Sequence, residues 1–124
     1  MKTKAASLLL IAAAAATLPA YAAQAYPSRP IRVVVPFAPA GINDVIARIL
    51  GQKLGENLGA TIVVDNRAGA GGTVGSAIVA QAPADGYTLL FSSSSTIAVS
   101  PALYKNLPYD PIRYFSPFTQ VASV

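Results

Sequence analysis

From Ile31 to Val35 the chain is a β-branched stretch with one charge, Arg32, and reads as a buried strand. Pro36-Phe37-Ala38-Pro39-Ala40-Gly41 ends it, and the apolar period then changes. Ile42, Ile46, Ile49, Leu50 and Leu54 fall at offsets 0, 4, 7, 8 and 12, one face of a 3.6-residue helix. Arg48, Gln52, Lys53 and Glu56 are left for solvent. Asn43 or Asp44 is placed to cap the first turn, and Gly59 suits the left-handed position just past the last. A second strand is predicted over residues 61–64, followed by Asp65-Asn66-Arg67 and the loop Gly69-Ala70-Gly71-Gly72. A short helix rich in small residues then runs over 73–81 and stops near Pro83 and the turn at Asp85-Gly86. Residues 87–91 form the third strand, with four serines and Thr96 directly after it. A few helical residues over 102–105 lead into a Pro- and Tyr-rich stretch, and 118–124 reads as the start of another strand.

Strand, helix, strand, helix, strand with short connections means an α/β fold with a parallel sheet and right-handed crossovers. In such sheets ligands bind outside the carboxyl ends of the strands. Three loops occupy those ends: 36–43, 67–73 and 92–96. Their Gly, Ala, Ser, Thr and Asn content lets a ligand approach backbone N–H groups closely.

Gly69, Gly71 and Gly72 precede a helix whose unpaired N–H groups and positive dipole end favour an anion, a carboxylate or a phosphate. A dinucleotide fingerprint would need glycine where Val74 stands and an acidic residue where the serine run stands. The plain alternative for each loop is punctuation: a proline ends a strand, a glycine turns the chain, serines solvate a connection. Three such loops on one sheet edge say more than any one, because their donors can converge on one small anion. Arg67 could bring a fixed positive charge, pair with Asp65 or lie in solvent; Tyr87, Tyr104, Tyr109 and Tyr114 are expected to pack at the domain edge.

Ahead of the first strand, Lys2 and Lys4 precede an apolar run from Ala5 to Leu18, then the small-residue patterns Ala20-Tyr21-Ala22 and Ala23-Gln24-Ala25. That is the layout of a secretory signal peptide, here residues 1–25, and the run is too short for a permanent membrane span. Without it the net charge falls from +4 to +2, so the basic balance gives little support to a nucleic-acid partner, and none is expected. The chain has no Cys and no His, which excludes disulfides, thiolate nucleophiles, Cys/His zinc sites and Ser-His-Asp triads. The five carboxylates Asp44, Glu56, Asp65, Asp85 and Asp110 show no catalytic spacing.

The stretches YPSRPIRVVVPFAPAGIND, VVDNRAGAGGTVGS, ADGYTLLFSSSST and PALYKNLPYDPIRYFSPFTQVASV resemble the Bug family of periplasmic solute receptors, the extracytoplasmic component of tripartite tricarboxylate transporters. They cover essentially all of residues 26–124 in the family's order. Ala40 stands where the family usually has the first of two glycines, and Ala68 where a proline usually precedes the glycine loop. The resemblance implies a type II-like, two-lobed α/β clamp that takes a small carboxylate (a dicarboxylic, tricarboxylic or amino acid) between its lobes. It implies membrane permease subunits as partners, a periplasmic monomer, no cofactor and no bond-breaking chemistry. Carried over position by position, the ligand-binding residues are Phe37, Gly41, Asp44, Gly69, Ala70, Gly71, Gly72, Ser92 and Thr96. Family members are far longer, so 26–124 is expected to be a truncated first lobe ending near the crossover into a second. The competing expectations are an exported enzyme domain binding a phosphorylated substrate or nucleotide, and a nonfunctional truncated product.

Overall fold

The computed structural model describes residues 25–123, so the expected signal peptide lies outside the described residues apart from Ala25. Strand β1 is Ile31–Val35, helix α1 Ile42–Leu58, strand β2 Ile62–Asn66, helix α2 Thr73–Ala80 and strand β3 Thr88–Leu90. After β3 come a π-helical turn, Ser95–Val99, and a short helix α3, Ser100–Leu103. The sheet order is β2-β1-β3, with β1 parallel to both neighbours. Ile31, Val34 and Val35 on β1 are almost fully buried and form the centre of the core. Right-handed crossovers to opposite sides of β1 put α1 and α2 on opposite faces of the sheet.

β2 runs further than expected because Asp65 and Asn66 continue the ladder opposite Val34 and Val35. Polar side chains do not end a strand whose backbone groups still have partners. Residues 118–123, expected to begin a strand, are irregular: among the described residues no strand lies beside them, and Phe118 and Val121 are exposed.

The face of α1 differs from the periodic reading. Ile42 and Ile49 are exposed, and the buried positions are Asp44, Ala47 and Gly51. A Cβ added to Gly51 would lie 3.1 Å from Ile62 Cγ2, and one on Gly55 2.8 Å from the Ala60 carbonyl. The helix thus docks through a stripe of small residues, its backbone drawn close to β2, with Ile46 and Leu50 half-buried at the margin and Ile42, Ile49 and Leu54 left outside. Replacing Gly51 with leucine is expected to cost about 2–3 kcal/mol by overpacking against Ile62, measured by urea unfolding. Gly59 takes the expected left-handed position with φ 62°, its N–H donating to the Gly55 carbonyl.

The amino-terminal end of the sheet is clasped. The Tyr26 hydroxyl donates to the Gly86 carbonyl at 2.8 Å, and Ser28 N–H donates to the Tyr87 hydroxyl at 2.8 Å. The Arg29 guanidinium lies 4.2 Å from the centre of the Tyr87 ring and 2.6 Å from Asp85 Oδ2. These contacts fix the chain just after the expected cleavage site and leave the carboxyl ends of the strands for other work.

Candidate functional site at the carboxyl ends of the strands

The three loops converge on the end of β1. Arg67 N–H donates to the Val35 carbonyl at 2.8 Å and Phe91 N–H to the Val34 carbonyl at 2.9 Å, so both neighbouring strands deliver their loops to the same point. Gly72 is buried with φ 93°, and a Cβ there would overlap Thr96 Cγ2 and lie 3.4 Å from Pro36 Cβ. Gly75, one turn on, leaves room for Pro36 and for the Arg67 carbonyl; a Cβ would lie 2.8 Å from Pro36 Cα and 2.9 Å from that oxygen. The start of α2 is therefore wedged between the first and third loops, and only hydrogen fits where Gly72 and Gly75 meet them.

The first loop is braced from within. Asp44 is buried, and its Oδ2 accepts from Ala40 N–H at 2.8 Å and from Arg48 Nε at 3.1 Å. Its Oδ1 lies 3.0 Å from the same Arg48 Nε as an ion contact, off the N–H direction. Arg48 Nη2 donates to Asn66 Oδ1 at 3.2 Å, and Asn66 Nδ2 donates to the Phe37 carbonyl at 3.2 Å. Asp44 thus sits in the first turn of α1 as expected, with its carboxylate turned back onto its own loop; the residue at the helix start is Gly41, without a side-chain cap. Ala40 holds φ 63°, where an L-residue is strained by about 1–2 kcal/mol. Ala40→Gly relieves that strain but makes the unfolded chain freer, which costs about 0.4–1 kcal/mol. The net expectation is about 0.5–1 kcal/mol of added stability in a denaturant titration, the strain being the larger effect.

The hydrogen bond from Arg48, then that from Ala40 N–H, holds the Asp44 carboxyl below its ordinary value of 3.8 in spite of burial. Burial pushes Asp65 upward, but hydrogen bonds from Arg32 and Arg67 outweigh it and leave Asp65 lowered too. A carboxylate that ionises more readily in the folded state leaves the unfolded chain holding more protons, so stability is present above the unfolded value and lost as pH falls through the folded one. Unfolding free energy is expected to drop as pH goes below about 3.8, and less steeply in Asp44→Asn, read from urea titrations at a series of pH values.

In the third loop Thr96 is fully buried, its hydroxyl paired with Ser92 Oγ and donating to the Ser93 carbonyl at 3.0 Å. The Tyr109 hydroxyl donates to the Thr96 carbonyl at 2.7 Å. Thr96 therefore shapes the loop from inside, whereas Gly41, Gly69, Ala70 and Gly71 are exposed and Phe37 and Ser92 half-buried. Of the three readings of Arg67, pairing is the one found: its Nε lies 3.0 Å from Asp65 Oδ1, and Arg32 Nε donates to Oδ2 of the same carboxylate at 2.8 Å. Sequence reasoning missed the parts that Pro36, Gly75 and Tyr109 play in holding the loops together. For Gly75 a signal existed, since a glycine inside a helical pattern marks close packing. Among the described residues, no group of three acidic, His or Cys side chains is placed to hold a metal ion.

The same parallel-sheet lobe is found in the solved structure of the periplasmic binding protein BugD, at TM-score 0.63 and 44% identity, over 69% of this chain and 28% of that one. MatC from Rhodopseudomonas palustris, solved with bound malate, matches at TM-score 0.71 and 39% identity, over 74% of this chain and 31% of that one. A second R. palustris protein, solved with adipate, matches at TM-score 0.68 and 37% identity, over 70% of this chain and 29% of that one. Residues 46–124 match the model of the tripartite tricarboxylate transporter family receptor, and the chain belongs to that family. Protein BugT of Bordetella pertussis is 48% identical over 103 residues, 82% of this chain and 32% of BugT. The chain thus spans about a third of the length of that relative. These family and structural neighbours are receptors and binding proteins.

Proposed function

We propose that this chain supplies the first lobe of an extracytoplasmic receptor that captures a small di- or tricarboxylate or amino acid and delivers it to membrane permease subunits. The export signal at residues 1–25 would carry it to the periplasm, and no bond-breaking chemistry is assigned to it. The observation that carries the reading is the wedge of Gly72 between Pro36 and Thr96, which gathers three small-residue loops at one point. There the exposed Gly69, Ala70 and Gly71 lead into the N-terminus of α2, whose dipole favours a carboxylate. Gly72 N–H already donates to the Gly69 carbonyl and Thr73 N–H to the Ala70 carbonyl, so the loop itself is tied and the attraction is that of the helix end. Gly41 and Phe37 border the cradle from the first loop; Ser92 closes it from the third. Asp44, Gly72 and Thr96 serve from behind by holding the loops together. The relatives solved with malate and adipate support a carboxylate over a nucleotide as the guest.

Thermal unfolding tests the reading. A matching carboxylate at a hundred times its dissociation constant is expected to stabilise the receptor by about 2.7 kcal/mol. Nucleotides at the same concentration are expected to leave the transition unmoved. Stabilisation by nucleotides and by no carboxylate would reverse the assignment in favour of an exported enzyme domain.

A further inference from the structure

We infer that Tyr104 is a ligand-contacting residue of this site, its phenol donating a hydrogen bond to the carboxylate held at the Gly69–Gly72 loop. The inference rests on the carboxylate-receptor reading above and deepens it. A Cβ added to Gly71 would lie 3.7 Å from the Tyr104 hydroxyl, and no other atom beyond the adjoining chain comes within 4 Å of that point. The hydroxyl thus lies beside the open side of the exposed glycine.

Three other tyrosines use their hydroxyls within the fold. Tyr26 donates to the Gly86 carbonyl, Tyr87 accepts from Ser28 N–H, and Tyr109 donates to the Thr96 carbonyl. Among the described residues the Tyr104 hydroxyl has no such partner, and the residue is 45% exposed. Its backbone is nevertheless fixed: Tyr104 N–H donates to the carbonyl of the buried Ser100 at 2.9 Å, at the end of the helical segment that begins at the Thr96 turn. The turn that closes the third loop therefore also holds this phenol at the second. A neutral O–H donor at a helix N-terminus suits an anion, because its proton can be donated to the carboxylate while its exposed oxygen lone pairs stay in water.

Tyr104→Phe keeps the ring and removes the donor. Malate, adipate, succinate and citrate are each titrated into residues 26–124, into Tyr104→Phe and into Tyr114→Phe, with affinities taken from amide chemical shifts and stability from ligand-free melting. Tyr104→Phe is expected to weaken every carboxylate that the unsubstituted chain binds by about tenfold, the effect of one hydrogen bond to a charged group, with no change in ligand-free melting. Tyr114→Phe is expected to change neither. Unchanged affinity, a loss confined to one of several bound carboxylates, or a loss matched by lower ligand-free melting overturns the role of Tyr104 while the receptor reading stands. Failure of the unsubstituted chain to bind any of the four, or glutamate and aspartate titrated beside them, overturns the receptor reading, and this inference with it.

Discussion

Replacing Gly72 with alanine is expected to destabilise the lobe by about 3 kcal/mol, a fall of roughly 12–24 °C in melting temperature for a domain of this size. Two costs add. At φ 93° any L-residue is strained, by about 1–3 kcal/mol. The new methyl also enters the space of Thr96 Cγ2, and overpacking of that kind costs about 1–3 kcal/mol. Thr96 has little freedom to yield, since it is fully buried, its hydroxyl donates to the Ser93 carbonyl and its own carbonyl accepts from Tyr109. Gly59→Ala separates the two costs. Gly59 has φ 62° but nothing within 4 Å of an added Cβ, so the expected loss there is only about 1 kcal/mol. Equal losses at the two positions, read by thermal unfolding, would mean that the wedge is not tight.

Tyr109→Ala is expected to cost about 4 kcal/mol, and Tyr109→Phe about 1–2 kcal/mol. Tyr109 is 4% exposed, the only aromatic side chain among the buried core residues described, and its ring meets Phe115 edge-on at 5.6 Å. Alanine removes that ring and leaves a cavity under the Ser95–Val99 turn. Phenylalanine keeps the packing and removes only the hydrogen bond to the Thr96 carbonyl. Because that carbonyl belongs to the third loop, both variants should also weaken carboxylate binding in the order Ala, then Phe. Urea unfolding and ligand titration of the same samples check the two effects together.

The sequence of elements, their parallel pairing and the position of the loops were legible because they follow from simple patterns: Val-rich β1 reads as a buried strand, and the β-α-β spacing leaves parallel crossovers as the connection. The order β2-β1-β3, with β1 central, came from the structure. Gly59 was legible from pattern too: a glycine after an amphipathic run has one common use. The inner face of α1 was not, because hydrophobic period points to Ile42 and Ile49, whereas contact with β2 is decided by which residues let two backbones approach, and those are Ala47, Gly51 and Gly55. A periodicity argument weighs large side chains and is blind to a helix that packs through small ones. The end of β2 was misjudged because Asp65 and Asn66 look like loop residues, yet their backbones pair with Val34 and Val35 while the Asp65 carboxylate is met by two arginines.

The site was legible as a set of loops and not as a geometry. Composition marks 36–43, 67–73 and 92–96 as flexible and rich in donors, but it does not tell which glycines face a ligand and which face the protein. Gly71 is open and Gly72 is the wedge, a distinction that depends on Pro36 and Thr96 arriving from other strands. Tyr104 and Tyr109 lie only five residues apart, yet one hydroxyl is tied to the Thr96 carbonyl (Tyr109) and the other lies beside the glycine loop (Tyr104). Only the path of the chain after β3 separates them.

Amide chemical shifts recorded while malate or adipate is titrated into residues 26–124 test the carboxylate cradle most directly, since they locate even a weakly held ligand residue by residue. The expected result is a set of shifts centred on Gly41, Ala70, Gly71 and Gly72, extending to Thr96, with the clasp around Asp85 and Tyr87 at the far end of the sheet unmoved. Shifts gathered at that far end, or none with either carboxylate, would contradict the account.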